Sequence, residues 1–251
     1  MTIRLKRWSA GLGLAAALVG CAPSQSETPA KNTLVLGLDV SGSFRPNYED
    51  AINFAALYLY GHLNGLGDLR PPTALFVGSV GGESSDEVKS FHPIHDFRGK
   101  SAEQIAADLK VWFPSAERFT DFNIFFERAA TLIKRQNLVL SPLNIVMLSD
   151  GMPDAPASET DSLGPYGRLD LTPLEYLSRS VTVRLLYPTP TVAVRWERGA
   201  KRRRVRLWTL DSEVMAGWRG QLAAGQPLDA QENLWQWVQD NVNFRVRARI
   251  L

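Results

Sequence analysis

The chain has 251 residues, a length typical of one domain, and 45% of them are apolar, which is normal for a protein with a packed core. The formal net charge is only +2, so composition gives no indication of a strongly charged partner such as nucleic acid. The only cysteine, Cys21, excludes a disulfide within the chain.

Residues 1–20 have the pattern of a secretory signal peptide. Three basic residues stand near the start of the chain: Arg4, Lys6 and Arg7. Segment 8–19 follows them, consists of apolar or small residues, and is too short to span a membrane. The following Leu18-Val19-Gly20-Cys21 resembles the lipobox of bacterial lipoproteins, in which the cysteine becomes the lipidated first residue after cleavage. An uncleaved helix with a chance cysteine is the alternative. Cleavage would leave 25 basic and 26 acidic residues, a net charge of about −1.

The expected organisation is a signal peptide at 1–20, a lipidated cysteine with a tether at 21–32, and a folded domain at 33–251. Ala22 follows the cysteine, and by the sorting preference of Gram-negative lipoproteins this resembles export to the outer membrane. Residues 22–32 are rich in Pro, Ser, Gln, Glu and Lys, which is typical of a flexible tether. Fully extended, they would reach at most ~36 Å. We therefore expect a lipid-anchored protein of the bacterial cell envelope.

The folded part begins with an apolar run, residues 33–38, which predicts a strand buried on both faces. Three oxygen side chains follow it at alternate positions, with a glycine that allows a tight turn: Asp39, Ser41 and Ser43, around Gly42. Ligands of open α/β sheets bind at the carboxyl ends of the strands. This loop is therefore a candidate site.

Apolar periodicity and capping residues predict strands that alternate with helices along the rest of the chain. The predicted strands are 73–80, 88–97 returning antiparallel, 144–149, 181–187, 205–210 and 244–250. The predicted helices are 48–63, 102–112 capped by Ser101, 121–136 capped by Thr120, a short one at Thr172-Pro173, 191–200, 212–222 and 228–238. For 191–200, a β-hairpin with Val205 onward is the alternative.

This alternation predicts an α/β fold, a Rossmann-like domain with a central, mostly parallel sheet and helices on both faces. One short antiparallel strand is expected at the sheet edge, because Pro93 within it fits an edge strand only.

Three segments at predicted strand ends, or in a loop next to one, carry oxygen ligands: Asp39-Val40-Ser41-Gly42-Ser43, Thr120-Asp121 and Ser149-Asp150-Gly151. Hydroxyls and carboxylates are hard ligands that suit Mg²⁺, Ca²⁺ or Mn²⁺. No Cys or His belongs to the set, which argues against a softer metal.

The three segments, in this order, resemble those of a von Willebrand factor type A (VWA) domain, over roughly residues 33–211. In that family they form the metal-ion-dependent adhesion site. The resemblance implies that Ser41, Ser43 and Thr120 supply hydroxyl ligands, and that Asp39 and Asp150 hold the ion, partly through water. It also implies an open coordination position that attracts an acidic side chain of a protein partner.

Each segment also has a structural interpretation. The first could cap the next helix, Thr120 could be a plain N-cap, and Asp150 could form an Asp-Gly turn. Two other functions stay open: a metal-independent scaffold or assembly factor that uses the Trp-rich, basic C-terminal third, and a metal-assisted hydrolase. No Gly-x-Ser-x-Gly, Walker or dinucleotide motif is present, so we expect no enzymatic activity.

Other signals receive plainer interpretations. His92 and His95 are expected to be surface residues, and the basic run 195–206 a solvated turn, with anionic headgroups as the alternative contact. The tryptophans of the last third are expected to be mostly core: Trp196, Trp208, Trp218, Trp235 and Trp237. The loop 154–170, with Glu159 and Asp161, is expected to rim the metal site and select partners.

Overall fold

The computed structural model describes residues 32–82, 91–115, 119–154 and 163–243. The predicted signal peptide, Cys21, almost all of the tether and the predicted strand 244–250 lie outside the described residues. Within those ranges, no helix is both long and apolar enough to cross a membrane.

The strands are, in chain order, β1 (Thr33–Leu38), β2 (Ala74–Ser79), β3 (Gly81–Gly82), β4 (His92–Pro93), β5 (Phe119–Thr120), β6 (Leu143–Leu148), β7 (Val181–Leu186) and β8 (Arg206–Leu210). Six of them form the central sheet in the order β4-β2-β1-β6-β7-β8. All neighbours are parallel except β4, which pairs antiparallel with β2 at the edge. Strands β3 and β5 form a separate two-stranded ladder.

The helices are α1 (Arg45–Asn64), α2 (Ala102–Trp112), α3 (Phe122–Arg135), α4 (Pro190–Gly199), α5 (Ser212–Ala216) and α6 (Glu232–Val238). They cover both faces of the sheet. Successive side chains of a strand point to opposite faces, and those of β1 are buried on both. Leu34, Leu36 and Leu38 pack into a core with α1, α2 and α6. Val35 packs into a second core with α3 and α4.

The predicted fold class is confirmed: a mostly parallel sheet carries one short antiparallel edge strand and helices on both faces. The first strand has the predicted bounds. The structure shows a helix at Pro190–Gly199, with the Thr189 hydroxyl accepting a hydrogen bond from the Val192 amide, so the alternative β-hairpin is wrong. Pro93 lies in the edge strand, the position in a sheet that tolerates proline.

Several predicted bounds are wrong. The return strand is shorter than residues 88–97, because the chain enters a 3₁₀ turn, Ile94–Asp96, directly after β4. Helix α5 stops at Ala216, and a 3₁₀ turn, Trp218–Gln221, follows. The helix predicted at 228–238 is broken at Gln231. The side-chain amide of this buried residue forms hydrogen bonds with the backbone of Ala223.

Candidate metal centre

The first and third predicted segments meet because β1 and β6 are parallel neighbours. The Asp39 amide donates to the Leu148 carbonyl at 3.0 Å, so the residues that follow the two strands start side by side. We call this carboxyl end of the sheet the site edge, defined by Asp39–Ser43, Thr120 and Ser149–Asp150.

Asp39 ties the two loops together from a buried position, with 1% of its surface exposed. One carboxylate oxygen accepts from the Ser41 amide at 2.9 Å, and the other accepts from the Ser149 hydroxyl at 2.5 Å. The Ser149 hydroxyl in turn accepts from the Gly151 amide at 2.9 Å. The loops after β1 and β6 therefore have a fixed mutual position.

Burial raises the pKa of both carboxyl groups at the site edge. The pKa of Asp39 rises to about 6, although hydrogen bonds from Ser149 and Ser41 lower it, and the Asp150 charge adds to the rise. Burial likewise raises the pKa of Asp150, against hydrogen bonding from the Met152 amide and Ser43, and the Asp154 charge adds to this rise. Desolvation and mutual repulsion of carboxylates are both offset when a cation binds between them.

The two serines of the first loop lie together beside Asp150. Their hydroxyl oxygens are 3.1 Å apart. Ser41 is buried and Ser43 is exposed, and the Ser43 hydroxyl lies near enough to the Asp150 carboxyl to lower its pKa. The structure therefore brings Ser41, Ser43, Asp39 and Asp150 into one cluster, as predicted.

The Asp150 carboxylate is only half satisfied by the chain. Its Oδ1 accepts from the Met152 amide at 3.0 Å, whereas its Oδ2 is buried and has no hydrogen-bond partner among the described residues. The following Gly151 has φ 75°, which favours glycine. Its carbonyl accepts from the buried Trp196 indole at 2.7 Å, so the turn that aims Asp150 is anchored in the core.

The structure places Thr120 beside the third loop, and its predicted role as helix cap is wrong. The N-cap of α3 is Asp121, whose carboxylate accepts from the Ile124 amide at 3.0 Å. Thr120 instead pairs with Gly81, which follows β2. Its side-chain oxygen is buried and, among the described residues, has no hydrogen-bond partner.

Asp154 holds Thr120 beside the third loop. Its carboxylate accepts from the Thr120 amide at 2.8 Å, and its own amide donates to the Thr120 carbonyl at 3.2 Å. This role of Asp154 is not predictable from the sequence, which places the residue only in the rim loop: its partner lies 34 residues away and no local spacing signals the contact. Residues 155–162 of that loop, including Glu159 and Asp161, lie outside the described residues.

The oxygens at the site edge fit a small, hard cation. Two buried oxygens, Thr120 Oγ1 and Asp150 Oδ2, have no hydrogen-bond partner among the described residues, and such groups are costly to bury unless something binds them. In the described part of the chain, no three His, Cys, Asp or Glu side chains cluster as metal ligands. Any cation held here would therefore depend on hydroxyl oxygens, the ligand type of Mg²⁺ and Mn²⁺ rather than of Zn²⁺.

The other predicted features lie elsewhere. His92 stacks on Trp112 with ring centroids 3.9 Å apart and lies 3.0 Å from Asp96, and His95 is exposed. Three of the five tryptophans are core residues, with at most 2% exposure: Trp196, Trp218 and Trp235. The prediction that most of them pack in the core is confirmed.

No family model matches the chain, and no curated protein matches it in sequence. Similar solved structures include the pilus adhesin SpaC from Lactobacillus rhamnosus GG, with 18% identity and a TM-score of 0.34 over 50% of this chain and 15% of the adhesin. The chain thus spans a small part of that protein. The SpRpn10 VWA domain is 9% identical, with a TM-score of 0.44 over 80% of this chain and 93% of that one. Manganese-loaded TRAP from Plasmodium vivax is 15% identical, with a TM-score of 0.44 over 74% and 71%.

Proposed function

We propose that this chain is a VWA-type domain that binds a protein partner through a divalent cation at the site edge. The proposed ligands are Asp39, Ser41, Ser43, Thr120 and Asp150. The observation that carries the proposal is a pair of buried oxygens, Thr120 Oγ1 and Asp150 Oδ2, which have no hydrogen-bond partner in the described part of the chain. They belong to two different loops, which Asp154 brings side by side.

The ligand chemistry favours binding of a partner rather than catalysis. Three of the five proposed ligands are neutral hydroxyls, so they leave more charge on the ion than three carboxylates would. An acidic side chain of the partner would complete the coordination. Ser43 is exposed, which leaves this side of the cluster accessible. In this proposal no bond is broken at the site, and turnover of any substrate that depends on Asp39 would contradict it.

The test is crosslinking in living cells, followed by mass spectrometry of the proteins captured with the chain. Ser43→Ala removes one proposed ligand from an exposed position. Ser141→Ala, in the loop before β6 at the other end of the sheet, is the matched control. We expect the wild type and the control to capture the same partners, and Ser43→Ala or EDTA to abolish capture. Partners that survive both treatments would instead support the metal-independent scaffold.

We also propose that the protein is lipid-anchored through Cys21 in the cell envelope, facing the periplasm or the surface. The supporting observation is the basic, apolar and lipobox pattern of residues 1–21. Cys21→Ser removes the acylation site, so we expect the wild type, but not the variant, to incorporate labelled palmitate in cells. A wild type that carries no label would overturn the anchor.

A further inference from the structure

Three segments lie next to one another at the amino ends of the parallel strands, opposite the site edge. They are residues 134–142, 175–180 and 201–206, which lead into β6, β7 and β8. The Leu140 amide donates to the Leu177 carbonyl at 2.7 Å. The carboxylate of Glu175 accepts from the backbone amides of Arg203 and Arg204. Together the segments form one continuous surface, which we call the basal surface.

None of the exposed side chains of the basal surface is acidic, and most of them are basic or apolar. Six cations on it are exposed: Lys134, Arg135, Arg179, Lys201, Arg203 and Arg204. The one acid of the three segments, Glu175, is 3% exposed and is engaged by backbone amides. Large apolar side chains protrude between the cations, with Leu140 76% and Tyr176 77% exposed. A solvated turn accounts for the arginines but not for two exposed side chains of this size.

The chain enters the fold beside this surface. The Thr33 amide, at the start of β1, donates to the Pro142 carbonyl at 2.9 Å. Only eleven residues separate Thr33 from Cys21, so a lipid on Cys21 would hold this end of the sheet within ~36 Å of the bilayer. Anionic headgroups attract clustered Lys and Arg, and Leu and Tyr side chains partition into the membrane interface.

We propose that the basal surface docks on an anionic lipid surface and thereby points the site edge away from the membrane. This inference rests on the proposed lipid anchor for its biological setting, but the contact itself needs no acyl chain. Each long strand of the sheet has five or six residues, or about 20 Å, so the proposed cation would lie at least that far from the headgroups.

The test is sedimentation with vesicles, using residues 21–251 with Cys21→Ser so that no acyl chain contributes. Both hydrophobic cores are built from residues 34–242, so this chain retains all of their members. We expect this protein to sediment with vesicles that contain phosphatidylglycerol and to be released from them by salt. It should not bind vesicles of pure phosphatidylcholine. Arg179→Glu with Arg203→Glu should weaken sedimentation at least about tenfold.

A charge-matched control separates this surface from net charge. Arg45 and Lys110 are exposed, and both lie near the site edge: Arg45 begins α1 two residues after Ser43, and Lys110 pairs with Glu49 near the start of the same helix. Arg45→Glu with Lys110→Glu changes the net charge equally, and we expect it to keep full vesicle binding. Equal loss in both double variants would overturn the proposal.

An apolar variant distinguishes a lipid surface from any other polyanion. Leu140 has φ 78°, a conformation that asparagine adopts more easily than leucine. Leu140→Asn should therefore fold at least as well as the wild type, yet bind vesicles more weakly and leave binding to heparin unchanged. Equal weakening for both ligands, or for neither, would overturn lipid docking, as would failure of the wild type to sediment at low salt.

The same proteins separate this inference from the proposed function. The basal double variant should keep its affinity for Mn²⁺, and Ser43→Ala should keep its binding to vesicles. If Ser43→Ala and the wild type bind Mn²⁺ equally, the cation site is wrong and vesicle docking stands. If the wild type incorporates no palmitate, the lipid anchor is wrong, and vesicle docking is judged by the sedimentation result alone.

Discussion

Thr120 carries its hydroxyl into a buried position where no donor or acceptor among the described residues meets it. A buried hydroxyl without a partner destabilises a fold by about 1–3 kcal/mol. The chain keeps this residue next to Asp154, which orients its backbone through two hydrogen bonds. A ligand role explains the hydroxyl, whereas a capping role does not, because Asp121 caps the helix.

Thr120→Val tests this explanation, since valine has the same shape but no hydroxyl. We expect the free energy of unfolding without cation to stay the same or rise by up to about 3 kcal/mol. Affinity for Mn²⁺, measured by calorimetry, should fall about tenfold or more. Thr120→Ser, which keeps the oxygen, should bind nearly as the wild type does. A destabilised valine variant with normal affinity would show that the hydroxyl has only a structural role.

His62 is a second buried polar residue, far from the site edge in α1. Burial lowers its pKa to about 4, against a hydrogen bond of its Nδ1 to the Arg70 carbonyl at 3.0 Å. Because the unfolded chain takes up a proton near pH 6.5 and the folded chain does not, acidification favours unfolding. Between pH 6.5 and 4 this loss should reach roughly 3 kcal/mol.

His62→Asn keeps a donor for the Arg70 carbonyl but does not titrate in this range. From pH 7 to pH 4, we expect the wild type to lose roughly 3 kcal/mol more of its free energy of unfolding than the variant loses. Denaturant titrations at the two pH values measure it. A difference that does not change with pH would mean that His62 is protonated in the folded state.

At the residue scale, the sequence predicted Asp39, Ser41, Ser43 and Asp150 as neighbours, because they follow strands that a parallel sheet aligns. It did not predict how Thr120 is held beside the third loop. That depends on Asp154, a contact between loops that leaves no periodicity in the sequence.

At the scale of elements, the turn after β6 depends on α4. Trp196, in the middle of that helix, is fully buried against Phe122 and donates to the Gly151 carbonyl. A Cβ on Gly151 would lie 2.7 Å from Leu185 and 2.9 Å from this indole nitrogen. The helix thus sets the direction in which Asp150 points, although it supplies no ligand.

Trp196→Phe removes the indole donor and leaves most of the packing. We expect a loss of about 1–3 kcal/mol in the free energy of unfolding, together with weaker Mn²⁺ binding. Trp235→Phe is the matched control, because the Trp235 indole donates to the Leu228 carbonyl at the same distance, 2.7 Å. Unlike the bond from Trp196, this bond does not hold a loop of the site edge. The control should lose similar stability and keep its affinity. Equal affinity of both variants for Mn²⁺ would show that α4 does not orient the Asp150 ligand.

The strands were predictable because a run of apolar residues on both faces has few other interpretations, and β1 has the predicted bounds. Helix ends were less predictable in the C-terminal third. Gln231 interrupts the last helical pattern through bonds to the backbone of Ala223 and Gln226. No local propensity indicates that this amide is buried.

At the scale of the whole molecule, the sheet separates two kinds of surface. Carboxylates and hydroxyls gather at the site edge, and exposed cations gather on the basal surface, where the chain enters the fold. This separation suits a domain that docks at one end and binds a partner at the other. The net charge of +2 conceals it, because 28 basic residues nearly balance 26 acidic residues over the whole chain.

Cation binding should also stabilise the whole fold, because the site exists only when the loops are assembled. At a cation concentration about 100 times the Kd, the expected gain is about 2.7 kcal/mol. Thermal unfolding with and without Mg²⁺ measures it, and the melting temperature should rise for the wild type and for Ser141→Ala but not for Ser43→Ala. A rise of the same size in Ser43→Ala would place the ion elsewhere.

The most direct test of the central claim is an anomalous difference map from crystals grown with Mn²⁺. We predict one strong peak at the site edge, about 2.0–2.3 Å from the hydroxyl oxygens of Ser41 and Ser43 and bounded by Thr120 and Asp150. A map without a peak there at saturating Mn²⁺, or with the ion bound away from both serines, would contradict the account.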